Sequence, residues 1–169
     1  FRIPRNPYIY LILVIMLWIF LSCLTPVYMY DSLDYHFSIP EQYLIDQGIR
    51  PHFYNLHSNM PFMAQMPWVF LLFFSNAHAC KLFIFVQLAV LLLIQYYTAR
   101  RVLNRTWSIG SIFVFLAAYT SAWAIYHVHI GNDITRQLYL NAAILTCLQY
   151  LIHQRKHFFV VSALLLGFT

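Results

Sequence analysis

The feature that most constrains this chain is a succession of long apolar runs separated by short charged segments. Residues 7–27 contain no charged side chain, and further apolar runs cover about 77–98, 107–126, 133–152 and 158–169. A helix of about twenty residues matches the ~30 Å hydrocarbon core of a bilayer at ~1.5 Å per residue. Charged residues make up only 9% of the chain, far below the roughly 25% of a soluble domain. The sequence therefore predicts an all-α fold, a polytopic transmembrane helix bundle with five spans in the lipid bilayer.

The segment between the first two spans, residues 28–76, is predicted to form a large structured outer loop that contains short interfacial helices. Ser38 and Glu41 have the spacing of a capping box, in which two side chains bind the first free N–H groups of a helix. Gly48 can end that helix. A short surface helix is therefore predicted over about residues 39–47.

Residues 61–74 are apolar, but they contain two prolines and are too short to cross the bilayer. This pattern favours an interfacial or re-entrant segment. Ser75 and Asn76 interrupt the apolar run and can cap the next helix. If residues 61–74 crossed fully, the first loop and Asp133 would lie on opposite faces of the membrane.

The charged residues divide between the two sides that five spans create. Seven basic residues share the side that the positive-inside rule makes cytoplasmic; they are Arg2, Arg5, Arg100, Arg101, Arg105, Arg155 and Lys156. The other side has the basic residues Arg50, Lys81 and Arg136 and all five acids, which are Asp31, Asp34, Glu41, Asp46 and Asp133. Topology thus explains the net charge of +5, and no nucleic-acid binding is predicted. We expect a multi-pass protein of the inner cell membrane whose acidic side faces outside or the periplasm.

Asp31 and Asp34 stand where the first apolar run would emerge into water, a position at which an acid is costly unless it pairs or has a function. They are three residues apart, so they share one face if the first helix continues past the membrane. Close carboxylates repel one another unless a cation or a metal joins them. Simple solvation of both acids at a helix end is the alternative.

Asp133 begins the fourth apolar run on the same side, where it is either a helix N-cap or a second reactive acid. Arg50 and Arg136 could each hold a phosphate oxygen, or could be solvated or contact lipid headgroups. His36 is one of several histidines on this side. The histidines and cysteines show no spacing typical of a metal site.

These residues resemble a known family. Residues 25–36, the proline-containing surface helix after them and residues 54–61 are similar to the N-terminal part of bacterial GT-C superfamily membrane glycosyltransferases. Protein mannosyltransferases and aminoarabinose transferases are relatives of that group. Asp133 at the start of a span resembles the second acidic loop of the family. We therefore expect residues 1–169 to be the N-terminal part of one GT-C-like transmembrane domain, inactive alone.

The resemblance implies a cell-envelope hexosyl- or pentosyltransferase that moves a sugar from a polyprenyl-phosphate donor to an acceptor on the outer face of the membrane. Asp31 would be the general base or would orient the acceptor. Asp133 would position the acceptor or, together with Asp31, a divalent cation, and no other cofactor is implied. Supporting roles would go to Asp34, His36, Arg50 and Arg136. The sugar and the acceptor are left open.

Two positions depart from the family pattern, and two other functions compete with sugar transfer. Asp34 departs from the commonest family pattern, in which one acid or an adjacent acidic pair stands here, and Gln65 stands where a glutamate is expected. A transporter or flippase for a lipid-linked or anionic substrate is the main alternative, and a non-catalytic membrane scaffold is another. Transporters tend to place ionisable residues near the bilayer centre. Here the charged residues avoid the span centres, which favours the enzyme.

Overall fold

The computed structural model covers the whole chain and describes residues 6–27, 32–50, 66–101, 103–123 and 133–168. Within these residues the protein is all-helical, with seven α-helices, one π-helical turn at Ser32–His36 and no strand. The helices are α1 (Pro7–Cys23), α2 (Ser38–Ile45), α3 (Met66–Phe74), α4 (Ala77–Arg100), α5 (Arg105–Trp123), α6 (Asp133–His153) and α7 (Lys156–Leu166). Helices therefore lie over all five predicted apolar runs.

Only α4, with 24 residues, is long and apolar enough to cross a membrane among the helices of the described ranges. The nine-residue α3 is too short to cross, as predicted for the interfacial segment. The α1 helix has 17 residues and ends at Cys23, four positions before the predicted end. The first helix therefore ends before the acidic segment, and Asp34 lies instead in the separate π-helical turn. The five-span topology stays a prediction.

Asparagine side chains begin two of the long helices. Asn6 Oδ1 accepts a hydrogen bond of 3.0 Å from the Tyr8 N–H at the start of α1. At the start of α4, Asn76 Oδ1 accepts from the N–H groups of His78 at 3.0 Å and Ala79 at 3.3 Å. These bonds satisfy donors that have no partner within the helix. The prediction that Asn76 caps α4 is confirmed.

The predicted surface helix is present as α2, but the predicted capping box is wrong. Ser38 is the first helical residue, and Phe37 occupies the cap position without a side-chain cap hydrogen bond. The Ser38 hydroxyl instead donates to the main-chain oxygen of Asp34. The serine is used to join α2 to the π-helical turn that precedes it, which a local spacing rule does not anticipate.

The end of α2 is close to the predicted position, but Gly48 is not the residue that adopts the left-handed conformation. Gln47 does so, with φ of 51°. The Gly48 N–H donates to Tyr43 O at 3.0 Å and the Gln47 N–H to Leu44 O at 3.3 Å. This pair of hydrogen bonds is the Schellman pattern, in which the residue just after the C-cap is left-handed.

The α4 helix lies at the centre of the packing and contacts α1, α3, α5 and α6. Its buried residues Cys80, Ile84, Leu88 and Leu91 recur every three or four positions, which places them on one face of the helix. They form one core with residues of α1, α3, α5 and α6. These contacts fix the height at which each of the four neighbouring helices packs along α4.

The last two helices form an antiparallel hairpin. Gln154 ends α6 in the left-handed conformation, with φ of 53°, and its N–H donates to Tyr150 O at 2.7 Å. Within the hairpin, Ser162 Oγ donates to Ala143 O at 2.9 Å. A small residue at the contact allows the two helices to approach closely, as in membrane helix pairs.

Candidate functional site

The two described acids of the predicted site, Asp34 and Asp133, lie in different elements. Asp31 lies outside the described residues, so its predicted catalytic role stays a prediction. Asp34 is half-buried in the π-helical turn, which contacts α2. Asp133 is exposed and is the first residue of α6 rather than the residue before it. A carboxylate in a first helical turn interacts favourably with the helix dipole, so its position is stable without a catalytic role.

The supporting residues are also dispersed. Arg50 follows α2 and is exposed, and Arg136 is exposed in the first turn of α6. His36 is only 8% exposed. Its ring packs edge-on against Trp68 of α3, with 5.9 Å between centroids and 86° between planes. His36 therefore occupies a packed position, whereas both guanidinium groups remain accessible to solvent or to phosphate.

The most unusual polar group in the described core is the side chain of Lys81, near the start of α4. It is 2% exposed, and its ammonium nitrogen Nζ lies 2.8 Å from Ser22 O and 2.7 Å from Thr25 O. Nζ is also 3.0 Å from Thr25 Oγ1 and 3.5 Å from Pro26 O. The three N–H groups of the ammonium therefore each have an oxygen within 3.0 Å.

These oxygens belong to the last turn of α1 and to the residues just after the helix, next to the negative end of its dipole. A cation placed there is stabilised, and basic side chains can bind the last carbonyl groups of a helix. Here Lys81 supplies the cation from α4. The contact fixes the point at which the chain leaves α1.

Lys81 was not singled out from the sequence, although a signal was present. It is the one charged residue in the apolar stretch 77–99, and a charged group inside an apolar segment is costly unless it is paired or functional. Its proximity to the predicted outer side made solvation a sufficient explanation. Its true partners are 55 to 59 positions away in the chain, a distance that no local pattern reveals.

Two further contacts tighten the same junction between α1 and α4. Cys23 and Cys80 are both fully buried, and Cys23 Sγ lies 3.6 Å from Lys81 O. His78 Nδ1 lies 3.3 Å from Cys23 O. The first turn of α4 therefore meets the last turn of α1 through main-chain and side-chain atoms together.

The other flank of the acidic segment is fixed by α2 and α3. Ile39 and Tyr43 of α2 pack against Met66 and Val69 of α3. Burial raises the pKa of the Tyr43 phenol above its ordinary value, so the phenol stays neutral at physiological pH. Trp68 is 1% exposed and belongs to the core that α4 organises. The π-helical turn is thereby connected through His36 and Trp68 to the main core.

The indole Nε1 of Trp68 is buried and has no hydrogen-bond partner within the described residues. A buried N–H without a partner costs about 1–3 kcal/mol. Among the described residues, the contact of the indole with this part of the chain is its edge-on packing against His36.

The start of α6, which carries Asp133, is attached to the middle of α4. Thr135, two residues later in α6, donates from Oγ1 to Gln87 Oε1 at 2.9 Å. Gln87 lies in the middle of α4, whereas Lys81 lies in its second turn. The residues just after α1 and the start of α6 are thus held at separate heights along α4.

A metal site is not formed by the described residues alone, since they contain no group of three or more His, Cys, Asp or Glu side chains that could hold an ion. The predicted pair for a divalent cation, Asp31 and Asp133, includes a residue outside those ranges. No step of the proposed chemistry is therefore assigned to a metal.

Comparisons with the models of known protein families, with curated proteins and with solved structures find no match for this chain. The resemblance to GT-C glycosyltransferases therefore rests on the sequence motifs alone, residues 25–36 and 54–61 and the acid at position 133.

Proposed function

We propose that this chain is part of a membrane glycosyltransferase that moves a sugar from a polyprenyl-phosphate donor to an acceptor on the outer face of the membrane, with Asp31 as general base. One observation carries the proposal. The described residues on either side of Asp31 are held in place, since Thr25 accepts a hydrogen bond from Lys81 and His36 packs on Trp68. A reacting carboxylate must be held in a defined position, and such fixed flanks are what it requires.

The surface of the helices supports a multi-pass placement in the membrane. Leu13, Val14 and Leu17 of α1 are each more than 55% exposed, and no charged residue lies between positions 7 and 27. Phe159 and Leu164 of α7 are similarly exposed. Apolar surface of this extent is rare on a soluble monomer and is favourable against lipid. The helix α4, which could cross a bilayer by its length and composition, would then lie inside a bundle of spans.

The proposed chemistry uses residue types that the outer side of the chain offers. The Asp31 carboxylate would accept the proton of an acceptor hydroxyl as the hydroxyl oxygen forms a bond to the anomeric carbon of the sugar. The bond between that carbon and the phosphate oxygen would break, and polyprenyl phosphate would leave with the electron pair. Arg50 or Arg136, both exposed, would stabilise the phosphate charge that develops.

The proposal is tested by substituting Asp31 with asparagine in the complete protein. Release of free polyprenyl phosphate from polyprenyl-phosphate-linked sugars measures donor cleavage whatever the acceptor is. We expect Asp31→Asn to lower the rate by about 10²–10⁴-fold, the usual contribution of a general base, with unchanged expression and melting temperature. Retention of the wild-type rate would refute the assignment.

Asp46→Asn provides the matched control. Asp46, just after α2, is another acid of the same loop, and its Oδ1 accepts a hydrogen bond of 2.9 Å from Gln42 Nε2. We expect this variant to keep the wild-type rate. A transporter or flippase would instead move the intact lipid-linked sugar across the membrane and release no polyprenyl phosphate, so the same assay distinguishes the main alternative.

A further inference from the structure

A groove of about 480 Å³ lies between α1, α4 and α5, in the half of the bundle remote from Lys81. This volume falls in the range of roughly 300–1,000 Å³ that is typical of ligand sites. Its described lining is apolar except for the phenol of Tyr96. The residues that mark its extent are Ile9 and Met16 in α1, Ala89 and Tyr96 in α4, and Ile109 and Ile112 in α5.

Two arginines follow the residues of α4 that line the groove. Leu92 and Tyr96 line it and are followed four residues later by Arg100 on the same face of α4. Leu93 begins a second row with the same spacing, which continues through Tyr97 to Arg101. Both arginines are exposed. Arg100 thus lies about one helical turn beyond Tyr96, and Arg101 about two turns beyond Leu93, the last residues of each row that line the groove.

We propose that this groove binds an acyl chain of an anionic phospholipid from the cytoplasmic leaflet, whose phosphate is held by Arg100 and Arg101. An acyl chain matches an apolar groove that opens to the bilayer, and guanidinium groups bind phosphate oxygens through short charge-assisted hydrogen bonds. Basic sites between helices on the cytoplasmic side are suited to anionic headgroups. The inference rests on the membrane placement proposed above but not on sugar transfer.

The position of the groove favours a structural phospholipid, rather than the sugar donor, as the bound lipid. The two arginines lie at the end of α4, whereas the residues just after α1 are held by Lys81 near the start of the same helix. About nineteen residues separate Lys81 from Arg100, which corresponds to nearly 30 Å along a helix. A phosphate held at Arg100 is therefore a membrane thickness away from the proposed reaction.

The test uses the complete protein in detergent, with phosphatidylglycerol and phosphatidylcholine supplied in equal amounts and the bound lipid counted by native mass spectrometry. We expect the wild type to retain phosphatidylglycerol preferentially. The double variant Arg100→Ala/Arg101→Ala should lose that preference by about tenfold, since each basic group near an anionic headgroup contributes appreciably to binding. The variant Leu13→Trp, which adds bulk at an exposed position in the groove, should lower the occupancy of both lipids.

The matched control is Arg155→Ala/Lys156→Ala, which removes an exposed basic pair at the α6–α7 connection, outside the groove. We expect it to keep the preference for phosphatidylglycerol. The inference is overturned by equal wild-type retention of the two lipids, by equal losses in the two double variants, or by unchanged occupancy in Leu13→Trp. Displacement of phosphatidylglycerol by equimolar polyprenyl phosphate would also overturn it. None of these results depends on donor cleavage, so this inference and the glycosyltransferase proposal fail separately.

Discussion

At the scale of single residues, Lys81 is the group whose removal should have the clearest effect. Its ammonium group donates to main-chain oxygens of Ser22 and Thr25 within the packed junction of α1 and α4. Lys81→Met keeps most of the side-chain volume but removes every donor. Because a hydrogen bond to a charged group contributes about 1.5–3 kcal/mol, we expect the free energy of unfolding to fall by about 2 kcal/mol. Thermal unfolding in detergent measures this change.

Lys156→Met is the control for that substitution. Lys156 is exposed at the first position of α7, and surface substitutions usually change stability by less than about 0.5 kcal/mol. We expect its melting temperature to match the wild type. A Lys81→Met protein that melts with the wild type would mean that water replaces the ammonium at the end of α1, and the anchoring role of Lys81 would then be wrong.

At the scale of elements, the ends of α2 and α6 share an unusual feature, a left-handed glutamine. Gln47 has φ of 51° and Gln154 has φ of 53°. A side chain in this conformation costs roughly 1–2 kcal/mol that glycine avoids, although glycine also loses more entropy on folding. We expect Gln47→Gly to raise the free energy of unfolding by up to about 1 kcal/mol, measured by slower hydrogen exchange of the α2 amides and by melting temperature.

Gly48→Ala gives the complementary result. Gly48 has no positive φ, and a Cβ atom built there meets no atom nearer than Asp46 O at 3.9 Å. We expect this variant to be neutral or slightly stabilising, since alanine reduces the entropy of the unfolded chain. A large destabilisation by Gly48→Ala, with no gain from Gln47→Gly, would contradict the assigned helix end.

The elements also show what a single sequence can and cannot predict. Hydropathy located every long helix because an apolar run of about twenty residues is a strong signal. Hydropathy placed the end of α1 too late, because Thr25 and Pro26 are uncharged. The residue before a proline disfavours the helical conformation, and this signal indicated an earlier end. Thr25 Oγ1 in fact donates to Ser22 O at 2.7 Å and closes the last turn.

The candidate site was predicted less completely than the helices. Charge counting predicts that the acids share one side of the membrane, which stays a prediction, but it does not reveal the groups that hold the residues around them. Lys81 and Trp68 act through partners that are distant in sequence, and such tertiary contacts leave no local periodicity. Ser38 had the correct spacing for a cap and still bonds elsewhere. Local sequence rules identify residues that could react, whereas tertiary packing determines which groups hold those residues in place.

At the scale of the whole molecule, the proposal requires α4, α5 and α6 to cross the membrane in alternating directions. Only then do the outer loop and Asp133 lie on one side, with Arg100, Arg101 and the α6–α7 connection on the other. The central position of α4, with α1, α5 and α6 packed around it, is the arrangement that alternating spans would produce. Alternation predicts a specific pattern of accessibility at the four helix connections.

Cysteine labelling in intact cells tests that pattern. The background carries Cys147→Ser, because Cys147 is exposed while Cys23 and Cys80 are buried. Single cysteines then replace exposed residues at Ser75, Leu103, Gln137 or Gln154.

A membrane-impermeant maleimide should label the cysteines at Ser75 and Gln137 in intact cells, and those at Leu103 and Gln154 only after permeabilisation. Labelling at Leu103 without permeabilisation would show that α4 does not cross. Protection at Gln137 in intact cells would put the start of α6, and with it Asp133, on the side opposite to the acidic loop. In that case Asp133 could not share a site with Asp31, and the proposed transferase would have to act with the first loop alone.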